Sequence, residues 1–294
     1  MTDLFNFDKP PPLYAVMGNP VAHSRSPEIH QMFARQASLE LEYQKIHVDV
    51  GGFRQAVSSF QAGGGQGLNI TAPFKLEARQ LCDVCSERAA LAGAVNTLWF
   101  KDSTIHGDNT DGVGICTDII ENIGLPLSGK RLLVLGAGGA VRGLLGELLS
   151  HCPEGVVVAN RTVDKAVGLV SVFAKHGDVR GCGFNNLKSE RFDIIINGTA
   201  ASLSGEVPVL PRLNLADDTL AYDMVYSTEP TAFMQWAIER GISRVSDGLG
   251  MLVEQAAESF RIWHRVSPQT GPVIRRLRGE SGLDPSRREI STPG

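Results

Sequence analysis

Long apolar runs are missing from this 294-residue chain. No stretch approaches the roughly 18 to 20 uninterrupted hydrophobic residues that a membrane-spanning helix needs, so no membrane partner is expected. The opening MTDLFNFDKPPPLY has neither a charged leader nor an apolar core of the secretory kind, and a cytoplasmic location is expected. A basic excess is missing too. Lys and Arg number 28 against 32 Asp and Glu, for a net charge of −4, and no segment interleaves aromatics with cations; nucleic acid is therefore not an expected partner. Cysteine is sparse. Its five residues, at 82, 85, 116, 152 and 182, are odd in number and scattered, which argues for reduced thiols and against a disulfide framework. Cys82 and Cys85 have redox or zinc spacing, but they fall late in a helical pattern and no second pair completes a site, so no metal is expected.

With 43% hydrophobic and 20% charged residues, the composition is that of a globular protein, and the length predicts about two domains with a cleft between them. Apolar periodicity predicts strands near 14–17, 43–49, 67–70 and 95–100, alternating with helices near 26–38, 51–62 and 75–92. Ser26 and Pro27 have the form of a helix N-cap followed by proline at the first helical position, and the glycines at 63–65 end the second helix. A second α/β unit opens at Arg131-Leu132-Leu133-Val134-Leu135, an apolar strand of the kind buried on both faces of a parallel sheet. Strands near 156–159, 193–197 and 220–224 follow, with helices between them, and then a helix over 248–264. The polar stretch 280–294, rich in Gly, Pro and Ser, reads as a disordered tail.

Two stretches carry chemistry. In LLVLGAGGAVRG (132–143), Gly136, Gly138 and Gly139 stand at a strand end where a helix opens near Ala140, an arrangement that lets a backbone approach a pyrophosphate held on free N–H groups. About twenty residues on, the next strand ends in Asn160-Arg161-Thr162 with no acid to accept from a ribose 2′-hydroxyl. Arg161, with Lys165 one turn later, suits a 2′-phosphate instead, so NADP is expected over NAD; a strand cap with two solvated cations is the plain alternative. In the first unit, polar residues cluster at strand ends: His23-Ser24-Arg25-Ser26, Asn69 and Thr71, Asn96-Thr97, and GDNTDG (107–112). Hydroxyls and amides suit a small polyhydroxylated ligand. Within LNITAPFK (68–75), Lys75 together with Asp111 is chemically sufficient to protonate an alkoxide developing during ketone reduction, although each alone also reads as a surface charge or a first-turn acid.

The stretches MGNPVAHSRSP (17–27), LNITAPFK (68–75), ERAALAGAVNTL (87–98), GDNTDG (107–112), LGAGGAVRG (135–143), NRT (160–162), YDMVY (222–226) and DGLGMLVEQA (247–256) together resemble the shikimate dehydrogenase family, in order and over about residues 14 to 279. The resemblance implies NADPH-dependent reduction of 3-dehydroshikimate to shikimate, a step toward chorismate and the aromatic amino acids, by a monomer or homodimer. It implies an α/β fold of two domains: a substrate domain of 1–112 plus 248–279, and a Rossmann-like NADP domain of 113–247. It implies that Lys75 is the acid/base residue partnered by Asp111, that Ser24 and Ser26 hold the substrate carboxylate, and that Thr71, Asn96, Asp111, Tyr226 and Gln255 contact ring or hydroxyls. Gly136, Ala137, Gly138, Gly139 and Ala140 are implied at the pyrophosphate, Asn160, Arg161, Thr162 and Lys165 at the 2′-phosphate end, Thr199, Met224 and Gly248 nearer the nicotinamide, and Glu87 at a further cofactor contact. No metal is implied. Alternatives are a quinate/shikimate paralogue of broader substrate or cofactor use and a silent NADP-binding regulator. Arg25 where the family commonly has Leu, Ala200 and Ser202 in NGTAASLSG, and Ser227-Thr228 and Thr231-Ala232 where prolines are frequent depart from the pattern.

Overall fold

The structure, a computed structural model, describes residues 10–187, 190–199, 201 and 204–280. Two six-stranded sheets organise it. In the first, β1 (Leu13–Gly18), β2 (Glu42–His47), β3 (Gly65–Ile70), β4 (Val84–Cys85), β5 (Thr97–Lys101) and β6 (Thr104–Asp108) lie in the order β2-β1-β3-β5-β6-β4. The parallel pairs β1–β2 and β1–β3 are crossed by α1 (Ser26–Gln36) and α2 (Phe53–Ala62), whereas β5 and β6 form an antiparallel hairpin. Its two-residue turn, Asp102-Ser103, has positive φ at both positions, the backbone twist that such hairpins favour.

In the second sheet, β7 (Arg131–Leu135), β8 (Gly155–Ala159), β9 (Val179–Cys182), β10 (Arg191–Asn197), β11 (Asn214–Asp223) and β12 (Arg244–Ser246) are all parallel, in the order β12-β11-β10-β7-β8-β9. The winding reverses between β7 and β10, so the chain leaves those two strand ends in opposite directions and opens a crevice there. Continuous apolar strands serve a sheet covered on both faces, and Leu132, Leu133, Val134 and Leu135 are all fully buried. The helices α6 (Gly139–Ser150) and α7 (Val163–Phe173) pack on one face, while Phe233 and Trp236 of α8 (Ala232–Glu239) close the other.

Two segments cross between the sheets. One is α5 (Asp111–Thr117), which runs into a π-helical turn over Asp118–Asn122 and buries Ile115, Cys116 and Ile119 with the second sheet. The other is α9 (Leu249–His264), which with α10 (Gly271–Glu280) returns to the first sheet, burying Val253, Phe260, Val273 and Leu277 against Tyr14, Ile29 and Phe33. α5 and α9 touch backbone to backbone at Gly114, where a Cβ would stand 2.7 Å from Gln255 Cβ and 2.8 Å from the Met251 carbonyl. That approach places Gln255 beside the start of α5.

Several expectations need correction. The helix read over 75–92 is two helices, α3 (Lys75–Leu81) and α4 (Glu87–Ala92), separated by β4. The helical spacing of apolar residues continues through the break, but Val84 and Cys85 pair with His106 and Gly107 of β6, and the Ser86 hydroxyl starts a new helix by accepting from Ala89 N–H. Cys82 therefore caps α3 and Cys85 lies in a strand rather than in a helix; both are free thiols. Helix α1 is capped by Arg25, with Ser26 as its first residue. β11 starts at Asn214, earlier than 220, and the short or polar strands β4, β6, β9 and β12 were not expected. The tail expected over 280–294 and the Ser202 departure fall, apart from the backbone of Glu280, outside the described residues.

Candidate active site

A cavity of about 240 Å³ opens at the C-terminal ends of the first sheet's parallel strands and reaches across to the second. The loop after β1 contributes His23 and Ser24, and the start of α1 Ser26; β3 contributes Asn69 and the residue after its end, Thr71; α3 begins with Lys75, and α5 with Asp111. Gln255 and Met251 come from α9, and Met224 and Tyr226 from the segment after β11.

Lys75 Nζ donates to Asp111 Oδ2 at 2.5 Å, with the lysine side chain 22% exposed and the aspartate 7%. The other carboxylate oxygen, Oδ1, accepts from Asn96 Nδ2 at 2.8 Å, and the Asp111 backbone N–H donates to Asn109 Oδ1 at 3.1 Å. Both oxygens are thus occupied by donors. A charge this buried is tolerated only when so paired. The Asn96 amide is fixed in turn, its Oδ1 accepting from the Thr110 N–H at 2.9 Å. At the other end, Ser24 Oγ lies 3.2 Å from Ser26 Oγ and accepts from the Ser26 N–H, so two hydroxyls face one point beside Tyr226. Burial raises the Tyr226 phenol above its ordinary range, and the nearby Arg25 charge partly offsets this. Arg25 itself is not in the cavity lining: its guanidinium grips Glu28 at 3.0 and 3.1 Å and reaches the Leu277 carbonyl of α10.

On the second sheet, β7 is followed by Gly136, whose φ of +103° and 3.1 Å virtual Cβ contact with the Gly198 carbonyl leave no room for another residue. Gly138 and Gly139 differ. A Cβ on either would meet nothing within 4 Å, so the protein's own packing does not demand glycine there. The open space lies over the N-terminus of α6, which has no side-chain cap and no acid in its first turn, a setting that favours an anion. Asn160 follows β8 and donates from Nδ2 to the Thr162 carbonyl, while Arg161, Thr162 and Lys165 are exposed with no carboxylate between 160 and 163. Thr199 Oγ1 donates to Asn197 Oδ1 at 2.7 Å, Met224 N–H to the Asn197 carbonyl, and Gly248 N–H to the Val225 carbonyl at 3.2 Å; Met224 and Gly248 line the same cavity as Lys75 and Asp111. These residues fit a phosphorylated dinucleotide. Among the described residues no group of three or more His, Cys, Asp or Glu is arranged to hold a metal ion.

Three family models match the chain: the shikimate dehydrogenase substrate binding domain over residues 16–98, shikimate / quinate 5-dehydrogenase over 118–206, and the shikimate 5′-dehydrogenase C-terminal domain over 248–278. The NADP(+)-dependent shikimate dehydrogenase of Hahella chejuensis is 52% identical over 90% of this chain and 98% of its own length, and that of Alkalilimnicola ehrlichii 53% over 91% and 98%. The chain belongs to the shikimate dehydrogenase family. Among solved structures, the Ael1 enzyme from Pseudomonas putida is 44% identical with a TM-score of 0.83, covering 90% of this chain and 98% of that one. Shikimate 5-dehydrogenase from Thermus thermophilus, solved with NADP(H) and shikimate, is 29% identical with a TM-score of 0.79 over 92% and 99%.

Of the positions that family resemblance singled out for substrate, Ser24, Ser26, Thr71, Lys75, Asn96, Asp111, Tyr226 and Gln255 all line the same cavity, with Met224 and Gly248 from the cofactor set. Glu87 does not. It is exposed in the first turn of α4, away from the cavity lining. Motif reasoning left out Tyr43 and Ser259, which lie behind the cavity wall: Tyr43 reads as a core residue of a half-buried strand and Ser259 as one of several small residues on a helix.

Proposed function

We propose that this chain catalyses the reversible NADPH-dependent reduction of 3-dehydroshikimate to shikimate. The observation that carries the reading is the Lys75–Asp111 pair, 2.5 Å apart, set in a cavity lined by hydroxyl and amide side chains that also includes Met224 and Gly248 from the second-sheet side. Bound NADPH supplies the hydride. Lys75 then delivers a proton from its ammonium to the oxygen of the ketone as that oxygen gains charge, and leaves as the neutral amine; in the oxidative direction it takes the proton back. Asp111 holds Nζ in place and balances its charge. Ser24 and Ser26 hold the substrate carboxylate through hydroxyl donors, while Thr71, Asn96, Tyr226 and Gln255 orient the ring hydroxyls.

For the cofactor, Gly136 to Ala140 cradle the pyrophosphate at the start of α6, Arg161 and Lys165 with Asn160 and Thr162 take the 2′-phosphate, and Thr199, Met224 and Gly248 bound the nicotinamide pocket. Glu87, exposed at the start of α4, is assigned a further cofactor contact by the family resemblance alone. We take 1–112 with 248–279 as the substrate domain and 113–247 as the cofactor domain, with α5 and α9 as the connections. No described helix is long and apolar enough to cross a membrane, and a cytoplasmic biosynthetic role suits the reading.

The test is oxidation of shikimate by the purified chain, followed at the NADPH absorbance band, with quinate and NAD in parallel arms and the product identified as 3-dehydroshikimate. High kcat/KM with shikimate and NADP alone is the expected result. Comparable rates with quinate or NAD would make the chain a broader paralogue, and no turnover in any arm would overturn the assignment.

A further inference from the structure

Behind the cavity, six buried side chains form a line of hydrogen bonds from one end of the site to the other. Tyr43 Oη, on β2, donates to Asn69 Oδ1 at 2.7 Å. This turns the Asn69 amide so that Nδ2 donates to Ser259 Oγ of α9 at 3.0 Å. Ser259 Oγ lies 2.8 Å from Thr97 Oγ1, which donates to Asn96 Oδ1 at 2.9 Å, and Asn96 Nδ2 donates to Asp111 Oδ1 at 2.8 Å. Each hydroxyl has one proton to give. Because Asn69 donates into Ser259 and Thr97 donates into Asn96, the proton between the two hydroxyls comes from Ser259, and the whole line has one direction. The competing partners for Ser259, the Gln255 carbonyl at 3.0 Å and Thr110 Oγ1 at 3.3 Å, are both longer.

Ser259 and Thr97 are fully buried, and Asn69, Asn96 and Asp111 nearly so, which makes a single polarity cooperative and a reversed member costly. Tyr43 is held at its head by a stacked His30 ring, with centroids 4.5 Å apart, and its hydroxyl also lies within reach of Ser26 at the carboxylate end of the cavity. Asn69 and Asn96 line the cavity themselves, so whatever fixes their amides fixes the site.

We infer that Tyr43 and Ser259 are positioning residues of the dehydrogenase site: together they impose the direction in which Asn69 and Asn96 face, so that an N–H group is presented to Asp111 and the Lys75–Asp111 pair is held in register with Ser24 and Ser26. This rests on the proposed reaction. Neither residue touches the reacting atoms. Their effect passes through two amides whose nearly symmetric orientations are chosen by the donors and acceptors around them, the Asn96 carbonyl, 3.3 Å from Asn69 Nδ2, adding to that choice. Asn96 has a second such donor in the Thr110 N–H, at 2.9 Å, so the sharper dependence falls on Asn69.

The experiment uses the full chain with Tyr43→Phe, Ser259→Ala and the double substitution, measuring kcat, KM for shikimate, KM for NADP and the thermal midpoint of each. Tyr43→Phe keeps the ring and its stack, and Ser259→Thr serves as the variant that retains the hydroxyl. Each single loss is expected to lower kcat/KM for shikimate by about threefold to thirtyfold, with KM for NADP unmoved and Ser259→Thr closer to the parent than Ser259→Ala. Because both act on one line, the double substitution should cost no more than the larger single one. Losses that multiply, a change confined to KM for NADP, or parent-like rates in both single variants would overturn the relay while leaving the reaction assignment intact. An inactive parent would overturn both.

Discussion

The two walls of the cleft differ in how complete they are without a ligand. On the first-sheet side the central polar groups already have protein partners: Lys75 and Asp111 hold one another, Asn96 holds Asp111, and Ser24 accepts from Ser26. On the second-sheet side the groups wait. Gly138 and Gly139 border open space, the start of α6 has no cap, and Arg161 and Lys165 are exposed. The difference separates two physical tasks. A catalytic pair has to be oriented before the substrate arrives, whereas a phosphate site needs only donors, positive potential and room. Substitutions in the catalytic pair of the first wall should therefore act on kcat, and those on the second wall on cofactor affinity.

The largest break in that contrast is expected from Lys75→Ala, with kcat lowered roughly 10²–10⁴-fold and KM for shikimate little changed in steady-state assays. Arg161→Ala comes next: KM for NADP should rise by about 10- to 100-fold and the preference over NAD should shrink, with kcat nearly retained. A pair of glycine substitutions sharpens the comparison. Gly248→Ala would drive a Cβ to 2.2 Å from the Met224 carbonyl, so the thermal midpoint should drop by several degrees. Gly138→Ala has an extended backbone and free space, so the midpoint should hold while cofactor KM rises about fivefold or more, because the methyl fills room meant for phosphate.

The smallest effect on rate, but a measurable one on stability, concerns His30. Burial among Phe33, Tyr43, Phe260 and Trp263 pushes its imidazole down from 6.5 to about 3, with the His264 charge adding to the effect. The unfolded chain then binds a proton that the folded chain refuses at any pH between those values. Stability is full above pH ~6.5 and falls as the pH drops toward ~3, by about 2 kcal/mol at pH 5 relative to neutral. His30→Leu should flatten that part of the pH dependence of denaturant unfolding; an unchanged slope between pH 7 and 5 would show that other groups set it.

The sequence revealed the second wall more fully than the first. Continuous apolar residues at 132–135, the glycines at 136, 138 and 139, and Arg161 after the next strand all lie within thirty residues, where local spacing implies local geometry. The same spacing misjudged 75–92, because the break there comes from pairing with β6, a distant and polar strand that carries little periodicity of its own. Lys75 and Asp111 were readable as types, but their meeting depends on α3 and α5 starting at one end of one sheet. Tyr43 and Ser259 left no mark in the sequence: the Asn69–Ser259 bond spans 190 residues, and only the return of α9 to the first sheet closes it.

The contrast is tested most directly by measuring Lys75→Ala and Arg161→Ala side by side, varying shikimate and NADP independently at a single pH. The account predicts that the lysine variant loses kcat at nearly constant KM values and that the arginine variant loses NADP affinity at nearly constant kcat. If Lys75→Ala instead raised KM for shikimate and left kcat alone, or if Arg161→Ala left NADP kinetics unchanged, the division of labour between the two walls would be wrong.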